Sequence, residues 1–470
     1  MQAVLRGERG YGMDKQRVHF QTSDEKLQKI FDGAETQARK NIRNFDGRRV
    51  MIEGGGYQKI WLETQPMGGE MYAKRDMEIG MNNQLLFMEF QREDGRIPGS
   101  IALIDGKIVP QFDKFQGFCF PAPALNMYYL GGKDREYLNL LGRTLERFDA
   151  YLWRVRDSNG DGCLESWCQY DTGEDNALRY GDAPGPWEKE YPPPSCKVVP
   201  MASMDIMSYS YASRETLAKI CYICGDDRSE LAWTQKAQQI REKIGSYLWN
   251  ERAGACFDRD KHGQSMKVMI HNNLRCMYWH SFTNRQAQIF VERHLVNPEE
   301  FWTKLPLPSV AVNDPLFRNI RQNNWSGQVE ALTYQRAIRA LENYGYHGLL
   351  RILGQKFLDA VSEQCIFVQQ FDPFTGTPSV TGREGYGPAI LAVLEYISRI
   401  YGVHIEGETI FWGCPNDGTE AVYEQEWNGN AYRLAHSRKE SRGYINGKQI
   451  FTVKDQNHIR VTTDLYGQVL

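Results

Sequence analysis

Acids and amides crowd around glycines in one stretch of the chain, Asp157-Ser-Asn-Gly-Asp-Gly-Cys-Leu-Glu-Ser-Trp-Cys-Gln-Tyr-Asp-Thr-Gly-Glu-Asp-Asn-Ala-Leu-Arg-Tyr180. Neither an amphipathic helix nor an alternating strand has this pattern. It fits a loop that presents carboxylates at the mouth of a site, and loops on a rigid scaffold are where catalytic groups concentrate. Glu165, Asp171, Glu174 and Asp175 all lie in it. A carboxylic acid in such a place can protonate a leaving oxygen when its neighbours raise its pKa. Trp167, Tyr170 and Arg179 supply the apolar walls and the cation that would split the pKa values of adjacent acids. A solvated acidic loop is the plainer alternative.

A second polar and aromatic patch holds Trp61, Glu63, Tyr72, Arg75 and Asp76. Carboxylates accept from vicinal hydroxyls and guanidinium donates to them, so the patch suits a sugar. Gln116 and Trp325 are weaker members of the same group, and a structural role fits each residue equally well. Asp157-x-Asn159-x-Asp161-Gly162 matches the start of a calcium loop, but its twelfth position is Cys168, which rules out a complete EF-hand. A tight Asx-rich turn is the preferred reading there. No cofactor is required, with calcium the one metal left open. No glycine-rich phosphate loop follows a strand, and the nine histidines show no zinc spacing.

These residues need a scaffold. Apolar residues recur at helical spacing from Ser23–Asp24 onward, through Leu27, Ile30, Phe31 and Ala34. Further helical stretches are expected near 76–92, 121–130, 135–154, 203–224, 228–249, 284–294, 328–344, 347–362 and 387–401. The segment 61–74 reads as a long loop. Strand signal between the helices is nearly absent, which argues against a β/α barrel or a dinucleotide-binding fold. A closed ring of helical hairpins, an (α/α)6 toroid spanning 23–405, fits best. A helical solenoid is second, since no fixed-period repeat is visible. Residues 1–22 form an N-terminal segment. From 406 to 470 the composition turns to short strands, with an Asn-Gly hairpin signal at Tyr444-Ile-Asn-Gly-Lys.

A net charge of -3, from 56 basic and 59 acidic residues, implies neither nucleic acid nor an anionic membrane as partner. Oligomeric state is not legible. No apolar run reaches the roughly 18 residues needed to span a bilayer. Ten scattered cysteines form no disulfide framework, and Cys221 and Cys224 read as buried thiols on a helix. The chain is expected to be cytoplasmic, or periplasmic or secreted if a signal has been cut away.

Glu165-Ser-Trp…Thr-Gly-Glu-Asp175-Asn-Ala-Leu-Arg-Tyr is similar to the Trp-x-x-Gly-x-Asp-Asn-Ser-x-Arg motif of glycoside hydrolase family 63, whose relatives include mannosylglycerate hydrolases and trehalases. Phe90-Gln-Arg-Glu-Asp-Gly-Arg-Ile-Pro, Asn324-Trp-Ser-Gly-Gln-Val and Phe371-Asp-Pro-Phe-Thr-Gly resemble further blocks of that family in the same order. The resemblance covers about residues 60–415. It implies an inverting glycosidase acting on an α-linked oligosaccharide, with an Asp acid matching Asp175 and a Glu base. It also implies a sugar held near Trp61 and Asp76. At the base position stands Gln369, and a neutral amide does not take a proton from water. Either another carboxylate serves, or the position was changed from Glu to trap substrate, or the chain no longer hydrolyses anything. Glu330 and Glu384 are the carboxylates in reach by sequence, with Glu330 preferred because it begins a helix that should line the ring. A silent carbohydrate-binding toroid and a polysaccharide lyase or epimerase on the same fold are the rivals.

Overall fold

Capping and periodicity build the helices that the pattern called for. α1 (Glu25–Lys40) starts where the Asp24 carboxylate accepts the N–H groups of Lys26 and Leu27, and its buried face carries Leu27, Ile30, Phe31, Ala34 and Ala38. The computed structural model describes residues 17–379, 384–415, 417–454 and 459–470. Expectations for residues 1–16 therefore lie outside the described residues.

Eleven further helices follow among the described residues: α2 (Gln65–Tyr72), α3 (Met77–Glu89), α4 (Pro121–Leu130), α5 (Arg135–Val155), α6 (Met204–Cys224), α7 (Asp227–Lys243), α8 (Asn272–Tyr278), α9 (Asn284–Phe290), α10 (Ala331–Glu342), α11 (His347–Ser362) and α12 (Gly387–Tyr401). Two of them depart from the sequence reading. α2 lies in the stretch expected as a loop, and α8 lies in a stretch where no helix was expected. α2 carries Gly68 and Gly69 mid-helix, which normally argues against a helix. Here a Cβ on Gly69 would sit 2.6 Å from Cβ of Asn83, and one on Gly68 2.9 Å from Leu391, so the glycines allow close packing.

α2 packs on α4, α4 on α6, α6 on α8, α8 on α10, α10 on α12, and α12 returns to α2. α4, α10 and α12 are buried on nearly every side, as interior helices are. α1 and α11 lie outside α12, and α7 outside α6. Strands also occur between the helices, contrary to expectation: Ile42–Phe45 pairs with Arg48–Met51, and Ile60–Trp61, Ser100–Ile104 and Lys107–Gln111 form a small sheet.

The tail forms two antiparallel sheets. One orders Val403–Glu406, Thr409–Gly413 and Arg460–Asp464. The other begins with Val18–Thr22, which pairs with Ala421–Trp427 in the register Val18 to Gln425, and continues through Asn430–His436, Ser441–Ile445 and Lys448–Val453. The N-terminal strand thus shares a sheet with the tail. No helix among the described residues is long and apolar enough to cross a membrane. The ten cysteines are free, and Cys221 and Cys224 are half-buried rather than buried.

Candidate active site

The residues just before α2, α4, α8, α10 and α12 meet at one end of the helices. Glu63 precedes α2, Gln116 precedes α4, His271 precedes α8, Glu330 precedes α10 and Tyr386 precedes α12. Helix N-termini favour negative charge, and acids gather there.

The acidic loop after α5 is pinned by buried ion pairs. Asp171 and Arg156, both fully buried, pair at 2.6 Å, and Asp171 accepts the backbone N–H groups of Trp167 and Phe115. Glu174 is gripped by Arg179 and accepts from Asn272 at 2.9 Å and Thr172 at 2.9 Å. Arg179 also reaches Asp258 at 2.5 Å. Burial pushes the Glu174 carboxyl up, but Arg179, Arg275 and His271 outweigh it and hold it below the usual range. Glu165 accepts from Ser158 and from the Trp167 indole. Three of the four loop acids are therefore internal, while Asp175 is half-buried at the surface.

Asp175 is linked to Gln369. Asn323 donates from Nδ2 to Asp175 Oδ2 at 2.7 Å, and Gln369 Nε2 donates to Asn323 Oδ1 at 2.8 Å. These two bonds and the width of one amide limit the distance from Asp175 Oδ2 to Gln369 Nε2 to about 8 Å. The Tyr57 hydroxyl donates to Gln369 Oε1 at 3.0 Å. Asp175, Asn323, Gln369, Tyr57 and Trp61 are all half-buried, so they form an accessible mouth.

Three carboxyls lie beneath it. Glu63 accepts from Gln116 at 2.8 Å and Arg336 at 2.9 Å. Burial raises its pKa against the pull of Arg336. Glu330 accepts from Gln370 at 2.7 Å through Oε1, while its Oε2 is sealed from water without a partner. Burial pushes its pKa well up, and the Asp175 charge adds to this. Glu53, from the glycine-rich segment, is 5% exposed. Burial and the nearby Glu63 charge push it well up, while the Tyr386 hydroxyl beside it favours its anion. Trp325 packs against His271 and lies under Arg275, with its backbone N–H on the Asp175 carbonyl. Trp61 stands between Lys59 and Lys114, each ammonium about 5 Å from its ring.

Other residues singled out by sequence are placed elsewhere. Trp167 is 1% exposed, with the Arg156 guanidinium on its ring, so it serves as core rather than as a sugar platform. Arg179 is spent on Glu174 and Asp258. Tyr72 ends α2, roughly 12 Å along the helix from its start, and burial raises its hydroxyl to about 12. Arg75 pairs with Glu35 of α1 at 2.6 Å, and Asp76 caps α3 and pairs with Arg49 at 2.7 Å. These three brace the far end of α2. Glu384 is exposed, and its charge acts on Cys365, which lies beside Gly33 of α1; residues 381–383 lie outside the described residues.

The Asp157, Asn159 and Asp161 side chains accept the N–H groups of Gly162, Asp161 and Cys163. The Lys243 ammonium sits on the Asp161 carbonyl at 2.6 Å. These contacts build a tight Asx-rich turn.

Sequence reasoning missed Glu53, Asn323, Arg336 and Tyr386. Glu53 opens Gly-Gly-Gly-Tyr57, an acid inside a glycine run, and that was the one available signal.

The model of the family described as mannosylglycerate hydrolase MGH1-like glycoside hydrolase domain matches residues 70–387. A solved structure titled sialidase superposes with a TM-score of 0.72 at 14% identity, covering 96% of this chain; this chain spans only 42% of that one. A mannosylglycerate hydrolase from Thermus thermophilus, solved with glucose, gives 0.62 at 16% identity, covering 78% of this chain and 99% of that one. Neutral trehalase Nth1 from Saccharomyces cerevisiae gives 0.56 at 16% identity, covering 75% and 74%. At such identities the likeness is one of fold.

Proposed function

The chain belongs to the MGH1-like glycoside hydrolase family, and from that membership and the site geometry we propose that it hydrolyses an α-linked glycosidic bond of an oligosaccharide with inversion. The scaffold is an (α/α)6 toroid, a reading supported by the six inner helices that pack in sequence back to the first.

Asp175 gives its proton to the leaving oxygen. A water on the opposite side of the sugar attacks the anomeric carbon and loses its proton to a buried carboxyl beneath the mouth. Trp61, Glu63 and Gln116 hold the sugar, while Trp325, 2% exposed, supports the Asp175 backbone from beneath. Glu63, fixed by Arg336 and Gln116, is the acceptor for the sugar hydroxyls.

One observation carries this reading: Asp175 stands half-buried at an accessible mouth with the buried carboxyls of Glu53, Glu63 and Glu330 beneath it, the combination of proton donor and separate carboxylate base that inverting hydrolysis uses. The test is release of reducing sugar from α-linked gluco-, manno- and galacto-oligosaccharides by the chain and by Asp175→Asn. Turnover abolished by that substitution supports the reading. Equal turnover by both, or turnover of no substrate, contradicts it.

A second reading, a silent carbohydrate binder, draws on Gln369 alone. It gains if only Gln369→Glu turns over.

A further inference from the structure

If the reaction is the one just proposed, a carboxylate other than Gln369 must take the proton from water. We infer that Glu53, on the glycine-rich segment between the first hairpin and Trp61, is that base.

A base must touch the water it deprotonates. Glu330 fails here, because Oε1 is engaged by Gln370 and Oε2 is sealed from water. Glu63 is already assigned to the sugar hydroxyls, with Gln116 and Arg336 fixing its two oxygens. Its charge is needed there to satisfy Arg336, 1% exposed. Glu384 faces outward.

Glu53 meets the requirement. The Tyr386 hydroxyl is the donor beside its carboxyl, and neither carboxyl oxygen is among the sealed, unpartnered atoms. Its neighbours point to the same mouth. The Tyr386 ring is 6.3 Å from that of Tyr57, and Tyr57 donates to Gln369. Glu53 also feels the charges of Asp175 and Glu63.

Backbone geometry holds it in place. The Glu53 carbonyl accepts the N–H of Gly387 at 2.6 Å, and a Cβ on Gly387 would come within 2.6 Å of that oxygen. The start of α12 thus closes on Glu53 only because residue 387 is glycine.

The step balances. Water loses a proton to the Glu53 carboxylate as its oxygen bonds to the anomeric carbon. The bond to the leaving oxygen breaks as Asp175 protonates it. The two carboxyls then exchange protons with solvent. Gln369, held by Tyr57 and Asn323, keeps a second amide hydrogen to orient the water. Burial raises the Glu53 carboxyl, which makes its anion a stronger base.

The experiment uses the α-glycosyl fluoride of whichever sugar the unaltered chain releases, because fluoride departs without a proton donor. Glu53→Gln and Glu53→Ala should each lose about 10³-fold in kcat while melting as the parent does. Azide should restore Glu53→Ala and yield the inverted β-glycosyl azide. Glu330→Gln should stay within about tenfold of the parent. The inference is overturned if Glu53→Gln keeps fluoride hydrolysis within about tenfold of the parent, if folded Glu53→Ala stays inert in azide, or if azide rescues Glu330→Ala instead. An unaltered chain that is silent on every substrate would sink the hydrolytic reading itself, a distinct outcome.

Discussion

Asn323 joins Asp175 to Gln369, donating to the first at 2.7 Å and accepting from the second at 2.8 Å. A single amide therefore ties the proposed acid to the residue proposed to orient the water. Neither end can shift without the other losing a bond.

Asn323→Leu keeps the volume and removes both bonds. It should lower kcat by about 100-fold with KM within a few-fold, because misplaced groups cost orientation rather than ground-state binding. Steady-state kinetics on the best substrate reads this. A rise in KM at constant kcat would place Asn323 in sugar binding instead.

Asp175→Asn removes the proton donor. Its loss should be about 10³-fold on glycosides with poor leaving groups, and far smaller on nitrophenyl glycosides, whose phenolate leaves unaided. A plot of log kcat against leaving-group pKa should steepen in the variant. An unchanged slope would exclude Asp175 as the acid.

The scaffold was legible where periodic apolar residues met clear caps. α4, α5, α6, α11 and α12 sit within a residue or two of the stretches read from sequence. α2 was hidden because Gly68 and Gly69 answer to Asn83 and Leu391, which are distant in sequence. The site divides for the same reason. Trp61, Glu63, Gln116, Asp175 and Trp325 fall together, while Arg75 and Asp76, of equally suitable type, pair with Glu35 and Arg49. Residue type alone does not distinguish a carboxylate at the mouth from one that braces a helix end.

The Glu174–Arg179–Asp258 cluster is fully internal. Arg179→Met leaves two buried carboxylates without their cation and should cost about 3–5 kcal/mol, measured by denaturant unfolding. The pH dependence follows from Glu174. Its folded-state pKa is lowered, so its contribution is present above the ordinary carboxylate pKa, near about 4.3. The contribution is lost as pH falls below that value. The parent should therefore lose stability between about pH 5 and 3 more steeply than Glu174→Gln.

Glu330 has the opposite sign. Its folded-state pKa is raised by burial, so whatever stability it supplies is present below the unfolded value and is lost as pH rises through the folded one. Glu330→Gln mimics the neutral form. Its melting temperature should match the parent near about pH 4 and exceed it increasingly toward about pH 8 and above. A constant difference across that range would mean that Glu330 is ionised in the folded protein.

The most direct test of inverting α-glycoside hydrolysis is proton NMR of the first sugar released, recorded before mutarotation. The expected product is the β-anomer, formed by a water entering opposite the bond that Asp175 breaks. The α-anomer as first product would contradict inversion, and with it the assignment of a separate acid and base.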